Sequence, residues 1–254
     1  MITTIFFDIG GVLINIHPER TLQYLSDCTD VSVEDVRKCF PTEVHNQYEK
    51  GNLTDKEWFL AIKESLPQPC CLKESDFWHA WKLLLGDERD TVNFLQKLSD
   101  NYSIWLLSNT NPKHIRDEIE KRYTFPNLVS GAVYSFNVGL RKPHKEIYLT
   151  AAELAGTQPA NSIFIDDMAE NIDAATEVGF TGIQYFTTEQ LICFSSIALI
   201  KSSAVIIFAS PLEYSFSKAI SFAKYLLLSL FTFVEKMCVW KSILILYNFY
   251  TLFT

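Results

Sequence analysis

A surplus of positive charge is missing from this chain: its 254 residues carry 22 Lys and Arg against 30 Asp and Glu, a formal net charge of −8. A nucleic-acid partner, which calls for a basic surface, is therefore disfavoured. Paired metal-ligand spacing is missing too. The six cysteines (Cys28, Cys39, Cys70, Cys71, Cys193, Cys238) are scattered, and the adjacent Cys70 and Cys71 lack the two-residue gap of a zinc knuckle or redox motif. They read as reduced thiols of a cytoplasmic protein. No basic region, apolar run or cleavage site precedes Asp8, so no secretory signal is expected. Neither an internal repeat nor a low-complexity linker is visible.

Beyond residue 186 glycine and aspartate vanish altogether, and the remaining 68 residues hold five Lys and only three Glu. This apolar tail, 187–254, differs in character from everything before it. Its stretch 191–212 has the length of about 20 residues needed to cross a bilayer. Lys201 near its middle opposes that, at about 2.5–3.5 kcal/mol on insertion scales. Residues 219–234 and 237–254 are shorter or interrupted by Lys224 and Lys241, a pattern that also suits helices lying in a membrane interface. Membrane association, an out-of-frame translation product and a soluble core helix are the three readings the composition leaves open.

What is present upstream is a repeated strand pattern. Ile2 to Phe7, Ile104 to Leu107 and Ile163 to Ile165 are short apolar and β-favouring runs ending in polar residues, as expected of strands buried on both faces of a parallel sheet. Gly182 to Phe186 supplies a last strand. Helices are predicted between them: Pro112 to Tyr123 behind Asn111 as a cap, Pro143 to Ala155 ending at Gly156, and Met168 to Val178 ending at Gly179. Alternating strands and helices make an α/β, Rossmann-like fold with ligands at the carboxyl ends of the strands. Residues 17–85 break the alternation, with helices expected over Pro18 to Cys28, Val33 to Phe40, Thr54 to Leu66 and Glu74 to Leu85. They read as a helical cap inserted into a core of 1–16 and 86–186.

Four short segments carry chemistry. Phe6-Phe7-Asp8-Ile9-Gly10-Gly11-Val12-Leu13 puts a carboxylate at the end of the first strand, either as nucleophile or metal ligand or simply to open a turn. Leu106-Leu107-Ser108-Asn109-Thr110-Asn111 offers a hydroxyl and an amide to a phosphate oxygen, though Ser-Asn is also ordinary turn material. Gly139-Leu140-Arg141-Lys142-Pro143 presents a cation before a helix, with Pro143 biasing Lys142 towards an extended conformation. Phe164-Ile165-Asp166-Asp167 ends a strand on two acids with Asn171 a turn later; paired carboxylates beside a phosphate call for a hard cation such as Mg2+, although one Asp at a helix N-terminus needs no ion.

In this order the four segments resemble the haloacid dehalogenase superfamily over about residues 1 to 186. The resemblance implies a phosphohydrolase with a three-layer αβα core, acting on a small phosphorylated metabolite. Asp8 would form an aspartyl-phosphate. Ser108 and the backbone N–H of Asn109 would hold the transferring group, and Lys142 would balance charge. Mg2+ would bridge Asp8, the Gly10 carbonyl and Asp167, with Asp166 acting through water. The first, second and third segments, with Tyr48-Glu49-Lys50-Gly51-Asn52-Leu53-Thr54, look most like the sugar-phosphatase branch. His17, Tyr48, Glu49 and Trp81 are candidates for choosing the substrate, against the plainer reading that Trp81 is cap core and His17 and Glu49 are solvated.

One departure stands out. Many family phosphatases carry a second acid where this chain has Gly10, and acid–base help of that kind is worth about 10²–10⁴-fold. The sugar-phosphatase branch shares the glycine, so its presence does not imply an inactive site. Two alternatives remain from the sequence: a carbon–halogen hydrolase, which uses the same Asp without metal, and a catalytically silent binding protein.

Overall fold

The computed structural model describes residues 1–192, so all readings of 193–254 concern residues outside those described. Its central sheet has five parallel strands in the order β5-β4-β1-β6-β7. These are β1 (Thr4–Phe7), β4 (Ser103–Ser108), β5 (Gly131–Tyr134), β6 (Ser162–Asp166) and β7 (Thr181–Gln184). Register pairs Phe7 with Leu106 on one side and with Ile165 on the other, so β1, β4 and β6 end within two residues of one another. This places Asp8, Ser108 and Asp166 along a single carboxyl edge.

Alternation along β1 builds both faces, because successive side chains on a strand point oppositely. Ile5 and Phe7 join Leu106 and Ile165 on one face, packed with Val92 and Leu95 of α6 (Thr91–Leu98) and with Ile115 and Ile119. Phe6 joins Leu107 and Phe164 on the other, against Ile147, Tyr148 and Ala151 of α9 (Lys145–Leu154) and Ala175 of α10 (Ala169–Glu177). The result is the expected α/β three-layer core. The helix expected from Pro143 starts two residues later, at Lys145.

The helix expected over Pro112 to Tyr123 is a run of α7 (Pro112–His114), a π-helical turn (Ile115–Ile119) and α8 (Glu120–Arg122). Asn111 caps it as predicted, its side chain accepting from the His114 N–H at 2.9 Å. Strand β5 went unread in the sequence. Gly131 starts it because a Cβ there would lie 2.6 Å from the Trp105 ring.

Residues 18–83 form five helices: α1 (Pro18–Thr29), α2 (Val33–Lys38), α3 (Thr42–Glu49), α4 (Asp55–Ser65) and α5 (Glu74–Leu83). Their own apolar core holds Leu25, Val36, Tyr48, Trp58, Phe77 and Trp81. Helix α4 begins with a reciprocal capping box between Thr54 and Glu57. Helix α3 is the one not foreseen, its short apolar content giving little periodicity. The segment leaves and returns through a two-stranded antiparallel ribbon, β2 (Ile14–Ile16) and β3 (Leu85–Glu88), each strand too short to announce itself.

At the other end, residues 188–192 are helical, and Leu191 is buried in the same cluster as Phe7. Thr188 meets the Thr91 hydroxyl at 2.9 Å. The compositional boundary at residue 186 therefore leaves out side chains that the core uses. Among the described residues no helix is long and apolar enough to cross a membrane.

Candidate active site

Asp8 follows the last residue of β1, its N–H bonded to the Ile165 carbonyl at 2.9 Å, and its side chain is nearly buried. The Lys142 ammonium lies 2.9 Å from the Asp8 Oδ1 and 2.6 Å from the Asp166 Oδ2. Lys142 is 2% exposed and Asp166 0%, so that pair is cut off from bulk water, while Asp8 keeps a small exposed surface. Burial pushes the Asp8 carboxyl up to about 6, Lys142 pulling it down and Asp166 pushing it up. Burial works against the Lys142 ammonium, yet the two carboxylates outweigh it and hold its pKa above the ordinary value.

Asp166 is fully engaged by the protein. Its Oδ1 accepts from the Met168 N–H at 2.8 Å, and Asn171 Nδ2 approaches its two oxygens at 3.0 and 3.1 Å. Asp167 is freer and half-buried; burial first, then Asp166, raises its pKa. Carboxylate oxygens of Asp8, Asp166 and Asp167 lie within 4.8 Å of one another. Three such groups so close repel unless a cation or proton intervenes, and an all-oxygen donor set suits Mg2+. Gly11 keeps the approach open: at φ 77° its missing Cβ would fall 2.3 Å from an Asp167 oxygen. At Gly10 a Cβ would meet Ile16 at 3.3 Å, so a larger side chain there needs Ile16 to yield.

Asn109 proves to be a clamp as well as a loop residue. Its Oδ1 accepts from the Lys142 N–H at 2.8 Å and its Nδ2 donates to the Lys142 carbonyl at 3.0 Å. Ser108 closes β4, and the loop beyond it is braced by Ser135, whose hydroxyl bonds both the N–H and the carbonyl of Thr110. Arg89, at the end of the ribbon, donates to the Gly11 carbonyl and, at 2.8 Å, to Asn15. Nothing in the sequence marks Arg89, a lone arginine 78 residues from its partner.

A chamber of about 110 Å3 opens beside Gly10, Ser108 and Asn109, with His45, Glu49 and Trp81 from the cap helices on its other walls. Glu49 pairs with Arg141 at 2.5 Å, linking α3 to the residue before Lys142. Of the four cap candidates, Glu49 and Trp81 thus reach the site. Tyr48 is wholly buried, its hydroxyl donating to Asp55 at 2.8 Å, and His17 pairs with Glu19 at 2.9 Å. His114 was not foreseen: its Nε2 meets the Trp81 carbonyl at 3.0 Å while Nδ1 accepts from Asn111. Burial lowers its pKa to about 4, so it is neutral.

The family model of haloacid dehalogenase-like hydrolases matches residues 2–179, across both the sheet and the inserted helices. The chain belongs to that family. The enzyme is a hydrolase, and relatives of it are named as phosphatases. A sesquiterpene phosphatase of Aspergillus oryzae is 27% identical over 177 residues, 70% of this chain and 86% of that protein. A D-ribitol-5-phosphate phosphatase of Bacteroides thetaiotaomicron is 25% identical over 202 residues, 72% of this chain and 92% of that one. Among solved structures, a family enzyme of Bacteroides thetaiotaomicron in complex with magnesium and inorganic phosphate superposes with a TM-score of 0.66 at 27% identity, covering 74% of this chain and 96% of that one.

Proposed function

We propose that this hydrolase is a Mg2+-dependent phosphatase of small phosphorylated metabolites, with Asp8 as nucleophile. The observation that carries the reading is the Asp8–Lys142–Asp166 cluster at the strand edge, with Asp167 beside it. An Asp8 oxygen attacks phosphorus, the P–O bond to the alcohol breaks, the alkoxide leaves and takes a proton from water, and an aspartyl-phosphate remains. Water then attacks that phosphorus, releasing inorganic phosphate and restoring the carboxylate. Lys142 offsets the charge gathered on Asp8 and the phosphoryl oxygens. Ser108 and the Asn109 N–H orient the phosphoryl group.

Asp8, Asp167 and the Gly10 carbonyl are the groups that would hold Mg2+, which when bound supplies positive charge to the phosphoryl oxygens. Asp166 has a different part here: its oxygens are taken up by Lys142, Asn171 and Met168, so it sets the position of the ammonium. Neighbours crystallised with magnesium support the choice of ion.

A sugar phosphate as substrate is supported by the similarity of residues 48–54 to the sugar-phosphatase branch and by the ribitol-5-phosphate relative. The sesquiterpene relative points to an apolar alcohol instead. The three-carboxylate cluster speaks against carbon–halogen hydrolysis, which needs no metal ion. Turnover of a panel of phosphate monoesters with Mg2+, and its loss with chelator, tests the reading; undiminished hydrolysis of a halo-acid under chelator would replace it.

A further inference from the structure

The five helices between β2 and β3 line a second, partly open pocket of about 370 Å3, whose walls include the buried side chains of Leu25, Val36, Ile62 and Phe77. That volume is within the range of small-ligand sites, about 300–1,000 Å3. It shares His45, Trp81 and Leu84 as walls with the chamber beside Ser108, so the two adjoin. The chamber itself, at about 110 Å3, has room for little beyond a phosphoryl group and the first atoms of its ester. The rest of any substrate needs further space, and this cavity lies next to it.

Its chemistry is that of a hydrocarbon site. The two less exposed wall hydroxyls already give their protons to the backbone, Thr21 to the Ala80 carbonyl at 2.9 Å and Ser65 to the Ile62 carbonyl at 2.8 Å, and keep only lone pairs for a ligand. Arg37 and Thr42 are exposed. A sugar chain placed among Leu25, Val36 and Phe77 would bury hydroxyls without partners, each at a net loss. An alkyl or isoprenoid group would gain with every methylene. The indole N–H of Trp81, on the wall common to both spaces, is buried without a protein acceptor.

We propose that this cavity receives the hydrocarbon part of the substrate, so that the ester hydrolysed is the phosphate monoester of an apolar alcohol. The inference rests on the phosphatase reading above. The test uses the full-length protein with Mg2+ and four esters of equal leaving-group basicity, butyl, hexyl, octyl and decyl monophosphate, beside glucose and ribitol phosphates and p-nitrophenyl phosphate. The expected result is a kcat/KM rising about fourfold per added methylene until the cavity fills, and exceeding that for both polyol phosphates. Filling the cavity with Leu25→Trp should then cut the octyl-to-butyl ratio at least about tenfold. A flat chain-length profile in the wild type, or a polyol phosphate preferred to octyl phosphate, with p-nitrophenyl phosphate still hydrolysed, overturns the substrate class alone. No hydrolysis of any ester overturns the phosphatase reading and this inference with it.

Discussion

Lys142 and Asp166 form an ion pair with 2.6 Å between Nζ and Oδ2, in which neither partner has measurable contact with bulk water beyond the 2% exposure of the lysine. Removing Asp166 leaves the buried ammonium with Asp8, 2.9 Å away, as its remaining carboxylate, and strips Asn171 and the Met168 N–H of their acceptor. Asp166→Ala should therefore destabilise the protein by about 1–3 kcal/mol, the worth of lost hydrogen bonds to a charged group. Urea unfolding measures it; a loss below about 1 kcal/mol would show that Asp8 alone is partner enough for the ammonium.

Asp8→Asn should behave in the opposite way. Lys142 keeps Asp166, so the fold survives, but an amide does not attack phosphorus as a carboxylate does. Turnover should drop at least about a thousandfold with the melting temperature within a few degrees of wild type. Retention of a tenth of the rate removes Asp8 from the nucleophile's place.

Asp167 and Asn171 separate metal binding from stability. Asp167→Ala should raise the Mg2+ concentration for half-maximal activity at least about tenfold with little change in stability. Asn171→Ala, which strips Asp166 of two contacts, should cost about 1–3 kcal/mol and move the Mg2+ requirement less. Equal Mg2+ curves for Asp167→Ala and wild type would place the ion elsewhere.

His114 gives a pH signature. Its folded pKa, about 4, lies below the ordinary 6.5, because burial first and the nearby His45 oppose the charged ring, against the Trp81 carbonyl and Glu118. The unfolded chain therefore binds the extra proton first. The stabilising contribution is complete above the unfolded value and is lost as pH falls from 6.5 towards 4. Asp8, raised to about 6, works in the reverse direction but equally in both proteins when wild type is compared with His114→Gln. The stability gap between them should narrow by about 3 kcal/mol from neutral pH to pH 4. A gap independent of pH would mean the ring titrates normally.

Leu191 sets where the chain can be cut. A protein ending at residue 192 should be more stable than one ending at 186 by about 1.5–3 kcal/mol, the worth of one buried leucine, since Leu191 is 2% exposed. Both keep Asp8, Ser108, Lys142 and Asp167, so both should hydrolyse phosphate esters if folded. Identical thermal unfolding of the two would show that the 188–192 turn adds nothing to the core.

The amino-acid sequence alone determined the strand ends and what stands on them. Ile2 to Phe7, Ile104 to Leu107 and Ile163 to Ile165 are apolar because both their faces are covered, and the polar residues that interrupt each run, Asp8, Ser108 and Asp166, mark the edge at which a parallel sheet presents its ligands. Helix ends at Asn111, Gly156 and Gly179 were legible for the same reason, being local. What depends on residues distant in the chain was not. Strands β2, β3 and β5 are too short to carry a period, and α3 has too few apolar positions to show a face. The grip of Asn109 on Lys142 spans 33 positions, and that of Arg89 on Gly11 spans 78. Whether an acid in Asp166-Asp167 faces a cation or a lysine is decided by where the fold puts Lys142 and Asn171. The apolar cavity exists only because five helices pack around it, each wall residue reading by itself as ordinary core.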